Sequence, residues 1–474
     1  MVATGMAVCM VLTTPALALA GAGEGTETQT ISEEAAGESI LDTGAGSVDA
    51  GEDGGIGGQT ESTEQSGTKT QTDSAEPTEK GGETGTAENE TRRDGRDTES
   101  QADAGNQTPT LTLEQAAQLA QNDKTAKDKL KVDTNTRTIT ITDGIGLILL
   151  SNVKPSEYKE KGINLVTTSG WDLTETAEID GKTYSFLGLG NDDNPYEGKF
   201  EFDKKTSAEK FSITTTKALF YALSTKAKLD SISFSISKTF SSTGNPLLAE
   251  KLKNGGNDTK LTSKVVLSNL NSAEIQEAAI GGLIGTMEEG SSAEITFTNN
   301  FSNSLKVSGE SHTGLFCNTM ESGASLTATF KNNDKNPVSV EATASEADAG
   351  GFVGHMKADS QLTIAGTSAA QVSSASGNAG GLAGSVTDGK ISVQAENGEN
   401  EADAGKFAFA DILTLKAGSD KAAGGLIGAY SVTKGGTDNG TGNSISYDLS
   451  EYEFHSITVS GGKNVGGLFG VLKN

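Results

Sequence analysis

Gly424-Gly425-Leu426-Ile427-Gly428 is one of five matching strings in this chain. The others are Gly281-Gly282-Leu283-Ile284-Gly285, Gly350-Gly351-Phe352-Val353-Gly354, Gly380-Gly381-Leu382-Ala383-Gly384 and Gly466-Gly467-Leu468-Phe469-Gly470. Thr313-Gly314-Leu315-Phe316-Cys317 reads as a degenerate sixth, placed by its glycine. The second-glycine positions 282, 314, 351, 381, 425 and 467 are 32, 37, 30, 44 and 42 residues apart. A turn and then a β-rich run follow most copies: 294–298, 325–330, 361–364 and 390–393. Two readings compete. A phosphate-cradling loop must open a helix, so that backbone N–H groups face the anion; here Thr/Ser-rich strand segments follow, and a nucleotide site needs one copy rather than six. In the structural reading, glycines turn a corner with positive φ and let stacked coils approach closely. The Leu or Phe then enters a narrow core. The final Gly, two residues on, leaves room for a neighbour.

Coils stacked ~4.8 Å apart place each strand between the coils above and below. Unequal spacing is absorbed by loops at the corners, and Ser431–Ser444, rich in Gly, Thr and Asn, reads as one such insertion. Tandem β-sandwiches want a unit nearer ~100 residues. The expectation is an all-β fold, a right-handed parallel β-helix (solenoid) over 158–474, its hand taken from the crossover rule. Residues 186–190 and 218–223 read as divergent corner strands, and 231–237 alternates with Ile232, Phe234 and Ile236 inward. Residues 109–157 read as a cap. Thr112 and Gln115 fit a capping box opening a helix that runs to about Leu130. A strand over 137–142, a short helix over 146–150 and a strand over 163–166 follow. Such a cap covers the first open edge, which otherwise templates aggregation.

The N-terminus has another character. Met6 to Leu12 is an apolar run and Ala18-Leu19-Ala20 a small-x-small cleavage site, so 1–20 reads as a signal peptide. It lacks a basic n-region, the first basic residue being Lys69. Residues 21–108 hold 21 acidic and 5 basic residues and no Phe, Trp or Tyr. They cannot bury enough apolar surface to offset ordering entropy and read as a disordered acidic spacer. After cleavage only Cys317 remains, so packing rather than a disulfide must hold the fold. The net charge of −27 argues against nucleic acid as a partner. With no second apolar segment, stable membrane insertion is not expected apart from the signal peptide. With 60 Gly but only 7 Pro, the chain is not collagen-like. At the other end four residues follow Gly470, which would leave an uncovered coil; the expectation is that the native protein continues beyond Asn474.

The Gly-Leu-Ile-Gly, Gly-Leu-Phe-Gly, Gly-Phe-Val-Gly and Gly-Leu-Ala-Gly strings resemble the GLUG motif (Gly-Leu-hydrophobic-Gly) over about residues 280–474. Phe352 departs from it in place of Leu, and Cys317 in place of the last Gly. The motif occurs in bacterial cell-surface and secreted proteins and in the non-catalytic part of some IgA-cleaving metallopeptidases. The resemblance implies an extracellular location, at the bacterial surface or wall, and carries no catalytic residues.

Three features of the sequence bear on chemistry. A zinc peptidase needs His-Glu-x-x-His on a helix; His312, His355 and His455 have no such spacing. His312 and His355 lie beside corner strings and can approach each other in neighbouring coils, where they read as stacked, exposed polar residues rather than a metal site. Asp192-Asp193-Asn194-Pro195-Tyr196-Glu197-Gly198 is the densest acidic stretch. It reads as a turn, with weak calcium binding or polysaccharide chemistry as the alternative. Trp171 reads as packing near the cap rather than a sugar platform. No catalytic, cofactor-binding or metal residue is assigned. The functional expectation is an exported, non-enzymatic surface protein, adhesin-like or a stalk that displays another domain. Its partner would be a host, matrix or cell-surface protein or glycan. The alternative is a carbohydrate-active β-helix enzyme, lyase or hydrolase.

Overall fold

The computed structural model describes residues 109–473, except 167–169, 204–211, 237–243, 270–276, 302, 333–337, 344–346, 367–368, 395–406, 409–411, 434–451, 454–455 and 461. All belong to one compact unit, Thr98–Asn474. The signal-peptide and spacer readings, His455 and most of the 431–444 insertion lie outside the described residues.

The fold is all-β in its body, with few helices, and its large sheets are parallel. One repeat serves for all. Ser304–Gly309, Thr313–Gly314, Cys317–Met320 and Ser325–Asn332 follow one another, and each joins a different sheet. In each sheet the strand pairs in parallel with its counterpart one repeat later: Leu305 with Val338, Gly314 with Gly350, Cys317 with Val353, Leu326 with Leu362. Two of the sheets reach eight strands, one six and one five. Alternation explains the burial. In Ser292–Asn299, residues Ala293, Ile295 and Phe297 point inward between half-exposed neighbours. Like side chains then meet between coils: Phe297 stacks on Phe330 at 5.6 Å and Phe316 on Phe352 at 5.4 Å.

The apolar residue of each string occupies one inward column. Leu283 and Phe352 are fully buried, Leu382 and Leu426 nearly so, and Leu468 packs on the same core. The residue after it, such as Ile284 or Val353, is buried as well. The glycines act otherwise than expected. Among the described string glycines only Gly282 takes positive φ, at 89°. The first glycine is required by close approach instead. A Cβ on Gly380 would lie 2.0 Å from the Ala383 carbonyl oxygen, and one on Gly350 closer still to that of Val353. The last glycine meets the coil before it: a Cβ on Gly384 would be 2.7 Å from the Gly354 oxygen.

The sixth string shifts by one residue. Gly314 pairs with Gly350 and Cys317 with Val353. The copy is therefore Gly314-Leu315-Phe316-Cys317-Asn318, with Asn318, not Cys317, in the place of the last glycine. Its side chain links two coils: Oδ1 accepts the Gly314 N–H and Nδ2 donates to the Gly281 carbonyl, both at 3.2 Å. The divergent corners at 186–190 and 218–223 do join this column, through the Leu189–Phe220 bridge and the Phe220–Ala249 pairing. A further corner, Pro246-Leu247-Leu248, follows the same register, with the Leu248 N–H bonded to the Leu283 carbonyl.

The capping box at the start of the first helix is present, with Thr112 and Gln115 exchanging bonds of 3.1 and 2.8 Å. The helix is shorter than expected, Leu113–Asn122. Asp123 ends it: its Oδ1 accepts the N–H groups of Thr125 (2.7 Å) and Ala126 (3.1 Å), a local turn that competes with the helix. Leu130 instead opens the strand Leu130–Asp133, the edge of a second five-stranded sheet, paired antiparallel to Thr138–Ile141. Gly144–Ser151 is helical, capped by Asp143, and Gly162–Leu165 is the next strand. No described helix is long and apolar enough to cross a membrane. Val465 and Leu472, on the last strands of two sheets, are 53% and 56% exposed.

Candidate functional site

The register brings two groups of polar side chains together. The first lines an open groove of about 700 Å³ that includes Asp192, Asp193, Tyr221, Glu250, Lys251 and Asn318. Its position follows from the strand columns. Tyr221, Glu250, Gly285, Asn318 and Gly354 follow the paired residues Phe220, Ala249, Ile284, Cys317 and Val353. From Gly354 onward this column lies against the short strands that begin with Thr313–Gly314. The described part of that sheet starts at Thr313–Gly314, and the groove lies along the column before it.

The acidic stretch 192–198 is a turn, as read. Asn191 and Asn194 exchange backbone hydrogen bonds of 3.1 and 3.2 Å. Tyr196 is fully buried, stacks on Phe220 at 5.5 Å and donates to the Lys199 carbonyl at 2.8 Å. Asp192 is bound by two ammonium groups, Lys251 at 2.8 Å and Lys253 at 3.0 Å. Partial burial acts to raise its pKa, but these lysines outweigh it and hold the carboxyl below its ordinary range. Glu250 goes the other way: burial pushes it up, against the pull of Lys251. Tyr221 is 37% exposed, with the Lys251 ammonium 5.6 Å from its ring centre. Trp171 is buried, on a strand paired with Ile213, and so is withdrawn from any sugar.

The second group is a nook where three successive repeats pair. His312 and Asp348 each precede a short strand, Thr313–Gly314 and Ala349–Gly350, and so share a column with Asn378. Thr319, His355 and Ser385 pair along the adjacent sheet. The two imidazoles stack with centroids 4.7 Å apart and planes 24° apart. They do meet across coils as expected, but both are half-buried rather than exposed. The Asp348 side chain, 8% exposed, lies between them, with Oδ2 3.4 Å from His312 Nδ1 and 3.6 Å from His355 Nδ1. Asp348 Oδ1 accepts the N–H and the side-chain amide of Asn378, both at 2.8 Å. The Asp348 N–H donates to His312 Nδ1 at 3.1 Å. Burial lowers the pKa of His312, partly offset by Asp348. Burial acts to raise that of Asp348, but its bonds with His355, Ser385 and Asn378 prevail and hold it below the ordinary value.

Ser385 Oγ lies 2.5 Å from Asp348 Oδ2, to which it donates, and 2.5 Å from His355 Nδ1. This is not a nucleophile relay. The hydroxyl has one proton and gives it to the carboxylate, whereas an activated serine must give it to the histidine. Sequence spacing exposed the His312–His355 pair but not Asp348 or Ser385. An aspartate in Glu346-Ala347-Asp348-Ala349 and a serine in Gly384-Ser385-Val386 carry no motif; the only signal was their offset from the corner glycines. No protein-family model, curated protein or solved structure matches this chain.

Proposed function

We propose that this chain is an exported, non-enzymatic surface protein, adhesin-like or a display scaffold, whose body is a right-handed parallel β-solenoid. The handedness follows the crossover rule for parallel strands. The helical piece at 109–157 serves as its cap, and the acidic segment 21–108 holds it away from the surface. One observation carries the reading: Gly314, Gly350, Gly380, Gly424 and Gly466 stand in a single paired column. A column kept in register while the repeat length varies is what a stacked scaffold needs and what a catalytic loop does not. The resemblance to GLUG-motif surface proteins supports the same location. The partner is a host, matrix or cell-surface protein or glycan.

A second reading rests on the groove. Glu250 and Asp192 have pKa values pushed in opposite directions, the division found in sugar-cleaving carboxyl pairs. The lysines already bonded to Asp192 count against it. The deciding experiment is a glycan and matrix-protein array probed with the purified chain, run beside a polysaccharide-cleavage assay. Saturable binding without new reducing ends or unsaturated products supports the scaffold. Cleavage lost in Glu250→Gln overturns it.

A further inference from the structure

We propose that His312, Asp348 and His355 form a binding site for a divalent transition metal of the zinc class. The argument rests on the placement of three ligand atoms. Zinc binds imidazole nitrogen and carboxylate oxygen at roughly 2.0–2.2 Å in tetrahedral geometry, which sets neighbouring donor atoms about 3.3–3.5 Å apart. Asp348 Oδ2 lies 3.4 Å from His312 Nδ1 and 3.6 Å from His355 Nδ1. All three donors fall within 4.8 Å of one another, so the widest pair closes by up to ~1.3 Å when the metal enters. The backbone ladders fix them: His312 precedes a short strand by one residue, Asp348 precedes the next, and His355 sits within the adjacent sheet. No side chain has to cross the nook to reach the others.

The outer partners fit as well. Ligating carboxylates are themselves held by hydrogen bonds that fix their orientation. Asp348 Oδ1 is held by two donors of Asn378, leaving Oδ2 to face the imidazoles. His312 Nδ1 accepts a backbone N–H, so that nitrogen is unprotonated and has a lone pair to offer. Binding exchanges this hydrogen bond for a metal–nitrogen bond and moves the His355 proton, held on Nδ1 towards Ser385 and Asp348 in the metal-free chain, to Nε2. Ser385 Oγ, 2.5 Å from both Oδ2 and His355 Nδ1, is closer to each than two ligands of one metal can be. Its hydroxyl therefore rotates aside and a water takes the fourth position. A metal so held joins successive coils and favours the folded chain, the only state in which residues this far apart in sequence converge.

The test uses the full chain, stripped of metal, titrated with zinc and separately with cobalt(II). The expected result is one zinc per chain by calorimetry, a tetrahedral cobalt(II) visible spectrum and a rise in melting temperature with zinc. His355→Gln and His312→Gln each weaken zinc binding at least 100-fold. Ser385→Ala retains it or tightens it. His455→Gln leaves it unchanged, which excludes the third histidine, while the loss in the His312 and His355 variants separates the nook from loose binding by the acidic N-terminal segment. Asn378→Ala, which touches no metal, weakens binding less than the histidine variants. No tetrahedral cobalt(II) spectrum in the wild-type chain overturns the proposal. So does zinc binding that survives both His→Gln changes.

Discussion

Alanine at position 380 would put a methyl carbon 2.0 Å from the Ala383 carbonyl oxygen and 2.5 Å from the Gly428 amide nitrogen. Ordinary contact begins near 3.4 Å, so the backbone must part by more than 1 Å. Neither neighbour can swing away, because both are main-chain atoms in strands paired on either side. Gly380 itself pairs with Gly350 and Gly424, and its carbonyl accepts the Gly351 N–H at 3.2 Å. Opening the corner leaves at least two ladder groups without partners, at ~1–3 kcal/mol each. With the steric strain added, we expect Gly380→Ala to cost ~3–5 kcal/mol, in the range reserved for severe lesions. Gly467→Ala is the control: a Cβ there meets nothing within 4 Å. It should change stability by less than ~0.5 kcal/mol. Stability in a stack of repeats is local, so the assay is native-state hydrogen exchange read segment by segment. Protection should fall over 349–356, 383–387 and 427–431 in Gly380→Ala and stay at the wild-type level in Gly467→Ala. Protection in Gly380→Ala within ~0.5 kcal/mol of wild type would refute the close-approach account of the motif.

Asn318→Leu should destabilise by ~1–3 kcal/mol for each of the two backbone groups it orphans, with Asn318→Gly milder because groove water can reach them; equal denaturation midpoints for the two variants would contradict this. Burial pushes the Cys317 thiol up to about 12, so in a Cys9→Ser background a disulfide reagent at pH 8 should label it only on unfolding, and rapid labelling of that folded chain would count against its burial. The Asp192 carboxyl is held below its ordinary value by Lys251 and Lys253, so its contribution is present above the unfolded pKa of ~3.9 and lost as pH falls through the depressed folded value. Melting temperatures of wild type and Asp192→Asn should differ by a constant amount from pH 7 to ~5 and converge below ~4; a constant difference down to pH 2 would contradict the assignment.

The repeat was legible because Gly and a large apolar residue mark positions where the backbone leaves no choice. Leu283, Leu382 and Leu426 could be placed inward from sequence for that reason. The register of the sixth copy was not legible. Its string offers Gly314 and no second glycine, and Asn318 replaces the last one with an amide that makes hydrogen bonds across the same gap. Only the pairing of Gly314 with Gly350 reveals the shift. The overlong helix has a similar cause. Lys124-Thr125-Ala126-Lys127 suits a helix by composition, but the Asp123 carboxylate caps the following N–H groups in a turn. In the nook, the histidine pair could be anticipated because both residues flank corner strings. Asp348 and Ser385 could not, since their meeting depends on two adjacent columns converging, which no spacing within one string encodes.

The parallel pairing has a kinetic consequence. Among the described residues every parallel ladder partner lies about one repeat away, from Ile213 with Phe234 to Phe407 with Tyr452, and no described strand waits for a residue at the far end of the chain. Parallel sheets are ordinarily slow to form because loop closure must precede pairing. Here, among the described strands, the loop to be closed does not exceed about one repeat, however many repeats there are. Each repeat can settle onto its predecessor as soon as it emerges from the ribosome. The time to complete the fold should then grow linearly with the number of coils, and the first turns should already be protected while the last are still being delivered.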